Sequence, residues 1–139
     1  MHNFPVKLDL RIDWSELDLF GHVNNVMFFK YIQASRVNYW EACNLLQHYE
    51  DDQIGPMLLS CNCQFKKPLF FPGNITVQAR VEFIKNTSFG LHHQILNEAK
   101  EIVAEANDVI VMYDYKKSGK VSFPASVRKT VEKLENKNF

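Results

Sequence analysis

The chain has 139 residues, and its 16 basic and 16 acidic side chains cancel to a formal net charge of zero. That balance excludes the large basic excess of a nucleic-acid binder, while 46% hydrophobic and 23% charged residues describe an ordinary soluble globular protein. The length suits one domain over residues 1–139 with a core at about 5–128, and no apolar run reaches a membrane span or a secretory h-region. A soluble, cytoplasmic protein with no membrane or nucleic-acid partner is expected.

Taken in chain order, Val6, Leu8, Leu10, Ile12 and Trp14 alternate with Lys7, Asp9, Arg11 and Asp13, the period of a half-buried strand. Residues 24–46 change period. Phe28, Tyr31, Ile32, Ser35, Tyr39, Ala42, Cys43 and Leu46 form one stripe, and Phe29, Val37 and Trp40 interrupt the polar side among Lys30, Gln33, Arg36 and Glu41. A helix apolar on more than one side has to be covered on more than one side. A second strand alternates Leu59, Cys61, Cys63 and Phe65 and ends at Pro68.

The third strand is the most regular, with Ile75, Val77, Ala79, Val81 and Phe83 on one face. Phe89, Leu91, His93 and Ile95 mark a fourth, joined to the third by a connection short enough for a hairpin. Residues 102–115 are apolar on both faces in their second half, which suits a central strand with a bulge near Asn107–Asp108. Pro124 to Leu134 reads as a short helix with Val127, Val131 and Leu134 on one stripe, followed by a tail expected to fray. One aromatic helix followed by four strands implies an α+β fold, a curved antiparallel sheet wrapped around the helix.

Cys43, Cys61 and Cys63 are an odd set with no disulfide framework, so reduced thiols are expected. Nothing near the Cys-x-Cys pair completes a ligand set, and no nucleotide-binding glycine loop is present. No metal and no cofactor are expected.

The chemistry concentrates in residues 11–31, RIDWSELDLFGHVNNVMFFKY, where strand passes to helix. Gly21 permits a tight turn, and Asn24 is a candidate N-cap. The helix start at Asn25 then offers free backbone amides and a positive dipole end, able to polarise a carbonyl. A carboxylate just upstream can activate water against that carbonyl. By themselves, Asp18 reads more readily as a turn residue and His22 as a hydrogen-bonded loop histidine than as reacting groups.

The run WSELDLFGHVNN resembles the W-S-D-x-D-x-x-G-H-V-N-N signature of the 4-hydroxybenzoyl-CoA thioesterase-like branch of the hotdog superfamily. FKKPLFFPGNITVQARV (65–81), NTSF (86–89) and GKVSFPASVR (119–128) are similar to later segments of that family in the same order. Departures are Glu16 for the first Asp, Asn74 for an Asp, and Lys85 for a Gly. Phe20 stands where plant acyl-carrier-protein thioesterases carry Asn, so their Asn–His pair is not carried over.

The resemblance implies a hotdog fold, with a five-stranded antiparallel sheet around one long central helix and a short C-terminal helix. It implies hydrolysis of acyl-CoA or acyl-carrier-protein thioesters by a homodimer or dimer of dimers with sites at the subunit interface. Asp18 inherits the catalytic role, as general base or nucleophile. The amide near Asn25 is the oxyanion donor, and His22 and Asn24 shape the loop. Thr87 or Ser88 would bind water or thioester across the interface. Phe20, Phe28 and Phe29 are candidate acyl-pocket walls, with core packing the expected job of at least one. Lys66, Lys67 and Lys85 are candidate partners of CoA phosphates or else solvated strand ends. The alternative is a non-catalytic hotdog module that binds an acyl thioester or a partner protein.

Overall fold

The computed structural model describes residues 3–139. Strand β1 (Val6–Arg11) leads through a 3₁₀ turn at Trp14–Glu16 to the helices α1 (Asn25–Ala42) and α2 (Leu45–Asp52). Strands β2 (Ile54–Phe65), β3 (Asn74–Ile84), β4 (Ser88–Leu96), β5 (Ile102–Asp114) and the short β6 (Gly119–Lys120) follow, and α3 (Ala125–Glu135) closes the chain. The strands pair antiparallel in the order β1-β3-β4-β5-β2, with β6 added beside β5. This is the curled sheet with one long helix that the sequence implies, a hotdog fold, with β6 as an additional two-residue strand.

Helix α1 is buried along Phe28, Tyr31, Ile32, Ser35, Arg36 and Tyr39. Its first half joins Ile75, Val77, Ile95, Ala104 and Ala106 in one apolar cluster. Its end, with Tyr39 and Cys43, joins Val81, Phe89, Leu91, Met112 and the α3 residues Val127 and Val131 in another. Small inward residues such as Ala79, Ala104 and Ala106 are fully covered, which lets a helix this rich in aromatics lie close to the sheet.

A charged group sits at the seam between those clusters. The Arg36 guanidinium donates through Nε to Asp108 Oδ2 at 2.9 Å and through Nη2 to Oδ1 at 3.0 Å. His93 Nε2 donates to Asp108 Oδ2 at 2.7 Å, and Ser35 Oγ lies 2.8 Å from His93 Nδ1. All four residues are buried. Burial by itself would raise the Asp108 carboxyl; the bonds from His93 and Arg36 overcome it and hold the group down to about 2.

This arrangement corrects two expectations. Arg36 does not join the solvated side of α1, because Asp108 gives it a buried partner. No bulge occurs at Asn107–Asp108, where both residues pair in register with β4 and β2. Ala104, Ala106, Asp108, Ile110 and Met112 are all buried, so the alternation never changes phase; one of its inward positions simply carries a charge. The irregularities fall instead at Leu58/Ser60, Val81/Phe83 and Ile95/Leu96.

Other boundaries also move. Strand β1 stops at Arg11, and Trp14 turns outward because Asp13 and Glu16 form a capping box there. The aromatic helix ends at Ala42, with Cys43 and a left-handed Asn44 before α2, so Leu45 rather than Leu46 is the fully covered residue. The tail is tied down: Glu135 accepts from Tyr39 Oη and from the Val81 amide, and Phe139 bonds Glu132 and Arg128.

Candidate active site

Residues 16–24 form a small hairpin. The Asn24 amide donates to Glu16 O at 2.8 Å, Leu17 and Val23 form a bridge, and the Asp18 amide donates to His22 O at 2.6 Å. Gly21 turns the chain at a φ of 80°, where a side chain would strain the backbone rather than meet a neighbour. The far side of the hairpin is fastened to the β2–β3 connection. There the Val23 amide donates to Leu69 O at 2.9 Å, and the His22 ring meets the Phe70 ring edge-on at 5.0 Å.

Asp18 sits at the tip of that hairpin. Its Oδ1 accepts the Phe20 amide at 2.8 Å and the His22 amide at 3.0 Å. Its Oδ2 takes no hydrogen bond among the described residues. The turn-residue and functional readings therefore coexist: one oxygen shapes the loop, and the other is left without a hydrogen bond from the described residues. Asp18, His22, Val23, Asn25 and Phe28 line a cleft of about 360 Å³ with Phe65, Lys66, Lys67 and Pro68.

Helix α1 starts at this cleft. Asn24 is its N-cap as expected, its Oδ1 accepting the Val26 amide at 3.0 Å while its carbonyl takes the Met27 amide at 2.8 Å. The Asn25 amide, first in the helix, has no intrahelical acceptor, and Asn25 lines the cleft. A carboxylate oxygen and a helix-start donor thus converge on one opening, the two parts that hydrolysis of an acyl group needs.

The other expected site residues divide. Phe28 is buried, lines the cleft and stacks edge-on against Phe65 at 5.1 Å. Phe20 points away at 79% exposure and is not part of the cleft wall in a single chain. Phe29 does not line the cleft, though its ring lies 6.3 Å from that of Phe65. Lys66 and Lys67 line the cleft, but Lys66 pairs with Glu105 at 2.9 Å and Lys67 with Glu101.

Lys85, Thr87 and Ser88 belong to the β3–β4 hairpin, at the opposite end of β3 from the loop carrying Asp18. A strand of that length spans roughly 30 Å, so one chain does not bring them to the cleft. Lys85 Nζ stands over the Phe83 ring instead, at 5.0 Å.

Sequence reading missed Glu16 as a structural element of the site. It is buried, and its carboxylate accepts from the Asp13 amide, Lys30 Nζ and Tyr31 Oη. Phe65 was read as a strand residue only; its place directly before Lys66 and Pro68 was the available signal. Among the described residues, no group of three or more His, Cys, Asp or Glu side chains is gathered that would hold a metal ion. Burial pushes the thiols of Cys43 and Cys61 up to about 12 and that of Cys63 to about 11, so none is an activated nucleophile. No helix among the described residues is long and apolar enough to cross a membrane.

A carboxylate loop ahead of a central helix wrapped by an antiparallel sheet is the arrangement of hotdog-fold proteins. The chain belongs to the thioesterase-like superfamily, whose family model matches residues 12–131. It is 19% identical over 131 residues to the long-chain acyl-CoA thioesterase FadM of Escherichia coli (strain K12), covering 93% of this chain and 98% of that one. It is 27% identical over 82 residues to the uncharacterized protein YsmA of Bacillus subtilis (strain 168), a match that spans 59% of this chain and about half, 54%, of the relative. A thioesterase from Thermus thermophilus, solved with coenzyme A and Zn, superposes over 100% of both chains with a TM-score of 0.87 at 21% identity, a likeness of fold.

Proposed function

We propose that the protein hydrolyses acyl thioesters, with acyl-CoA as the substrate class favoured over acyl-carrier protein. The observation that carries this reading is the split use of Asp18: Oδ1 is spent on the loop amides while Oδ2 is left to the cleft where α1 begins. Superfamily membership supports it, as do a relative named as an acyl-CoA thioesterase and a structural neighbour solved with coenzyme A. In this mechanism the thioester carbonyl oxygen points at the Asn25 amide, which stabilises the developing oxyanion. Asp18 Oδ2 either takes a proton from water as that water attacks the carbonyl carbon, or attacks that carbon itself to form an anhydride that water opens. In both routes the C–S bond breaks and the thiolate leaves, taking up a proton as free thiol. Phe28 and Phe65 form the apolar wall for the acyl group. His22 and Asn24 hold the loop.

Lys66 and Lys67 are the phosphate-facing cations of this reading, each exchanging a carboxylate partner for a CoA phosphate on binding. The site is completed by a second copy of the chain joined along β2. Among the described residues that strand pairs only with β5, and it carries Leu58, Leu59 and Phe65 exposed, whereas the outward positions of the other edge, β1, are Lys7, Asp9 and Arg11. Antiparallel pairing of two β2 edges sets the Phe65 end of one against the Ile54 end of the other. In each chain the Ile54 end adjoins Asp114 of β5, close to where Met112 meets Thr87 and Val111 meets Ser88. Thr87 and Ser88 of the second copy thereby reach the first copy's cleft.

The test is release of free thiol from a panel of acyl-CoA and acyl-carrier-protein thioesters, with a chelator present. Turnover of at least one acyl-CoA is expected. Tight binding with no turnover across the panel would give the non-catalytic module its place.

A further inference from the structure

We infer that Glu16 is the positioning residue for Asp18: its buried carboxylate locks the base of the hairpin whose tip presents Asp18 to the cleft. The inference rests on Asp18 as the reacting carboxylate. Glu16 is 4% exposed, in a stretch where Asp13, Trp14 and Ser15 are all open to solvent. An isolated carboxylate would not remain there, because burial strongly disfavours its charge. Three donors hold it: the Asp13 amide at 2.8 Å, Lys30 Nζ at 2.9 Å and Tyr31 Oη at 2.7 Å. The first comes from the start of the loop, and the other two come from the second turn of α1.

The backbone of the same residue is fixed on both sides. Its amide donates to Asp13 O at 3.0 Å, and its carbonyl accepts the amide of Asn24, the N-cap of α1, at 2.8 Å. From Glu16 upward the hairpin is a short ladder, Glu16 to Asn24, Leu17 to Val23, Asp18 to His22. Glu16 thus sets the distance between the two reacting parts, the Asp18 carboxylate on the ladder and the helix-start amides beside Asn24. A shift of about 1 Å in such a pair is enough to cost on the order of 100-fold in rate. The ion pair with Lys30 adds charge to this anchor, and Tyr31 adds direction, since its ring is itself buried in the core beside Phe28.

A merely structural Glu16 would lower stability without caring what stands at position 18. A positioning Glu16 acts through Asp18, and a double-mutant cycle separates the two. Glu16→Gln keeps the length but turns an amide toward Lys30. Alone, it is expected to lower kcat roughly ten-fold with KM within about two-fold. In an Asp18→Asn background the same change is expected to alter the residual kcat by less than about two-fold, because the group it positions no longer reacts. The loss in Tm should be the same in both backgrounds.

Tyr31→Phe, which keeps the buried ring and deletes one donor, serves the same cycle if Glu16→Gln does not fold, with a smaller loss of about three-fold expected. An equal fall in kcat in both backgrounds, or no fall at all, overturns the positioning role. An Asp18→Asn enzyme with near-normal turnover removes the site reading itself, and that outcome is visible in the single variant before the cycle is closed.

Discussion

At the scale of single residues, the candidate site is a matter of which oxygen and which nitrogen are already taken. Asp18 Oδ1 holds two loop amides, so Asp18→Asn should preserve the turn and, in the proposed mechanism, remove proton acceptance or attack at Oδ2. His22 enters through its backbone, and its ring braces Phe70. His22→Ala should therefore leave the bond to Asp18 intact and lower kcat by about ten-fold through a looser loop, well short of the loss at Asp18. Steady-state kinetics on the two variants checks the ranking; a His22→Ala enzyme as slow as Asp18→Asn would make the imidazole a reacting group. Asp18 and Asn24 were legible in the sequence because a turn and a helix cap are local patterns. Glu16 was not, since its anchoring partners Lys30 and Tyr31 lie well along the chain in another element, and nothing in a charge pattern marks a buried carboxylate.

At the scale of elements, α1 is held to the sheet by two apolar clusters and by the Arg36–Asp108–His93 group between them. Removing Arg36 leaves the buried Asp108 carboxylate with His93 as its remaining partner and its bidentate cation gone, so Arg36→Met should cost about 3–5 kcal/mol in denaturant unfolding. The joint change Arg36→Met with Asp108→Leu should cost less, because no buried carboxylate or guanidinium is left and the remaining loss is the His93 Nε2 hydrogen bond. The Asp108 carboxyl has an ordinary value of 3.8 and is held at about 2 in the fold. A depressed carboxyl contributes stability that is present above its unfolded value and is lost as pH falls through the folded one. Unfolding free energy should thus drop by roughly 2 kcal/mol between about pH 4 and pH 2 on this account. Glu105, also held at about 2 by its bonds to Gln94 and Lys66, titrates in the same window. The Asp108 share is the difference between the wild-type and Asp108→Asn profiles; parallel profiles would contradict it. The strand periods were legible because water enforces alternation on any half-buried sheet. The charged seam was not, because Asp108 breaks the apolar pattern at a core position and its partners lie on other elements far along the chain.

At the scale of the whole molecule, the wrapped sheet keeps the Thr87–Ser88 hairpin of one chain away from that chain's own cleft. The Asp18 loop and the Thr87–Ser88 hairpin occupy opposite ends of the sheet, and in the proposed dimer a second copy across the β2 edge unites them. Light scattering over a dilution series should give a mass of two chains or more. Leu59→Lys on the exposed face of β2 should shift that mass toward one chain and lower activity with it. An active monomer would refute the shared site. The central claim is that the free oxygen of Asp18 carries the hydrolysis of an acyl thioester. Its most direct measurement pairs kcat for thiol release with Tm, for wild type and Asp18→Asn, on the best acyl-CoA of the panel. With Asp18 as the reacting carboxylate, kcat should fall on the order of 10²–10⁴ with Tm almost unchanged, since Asn keeps the turn bonds. Near-normal turnover, or a modest loss that tracks a stability drop of about 1 kcal/mol, would return Asp18 to the role of a loop residue and contradict the mechanism.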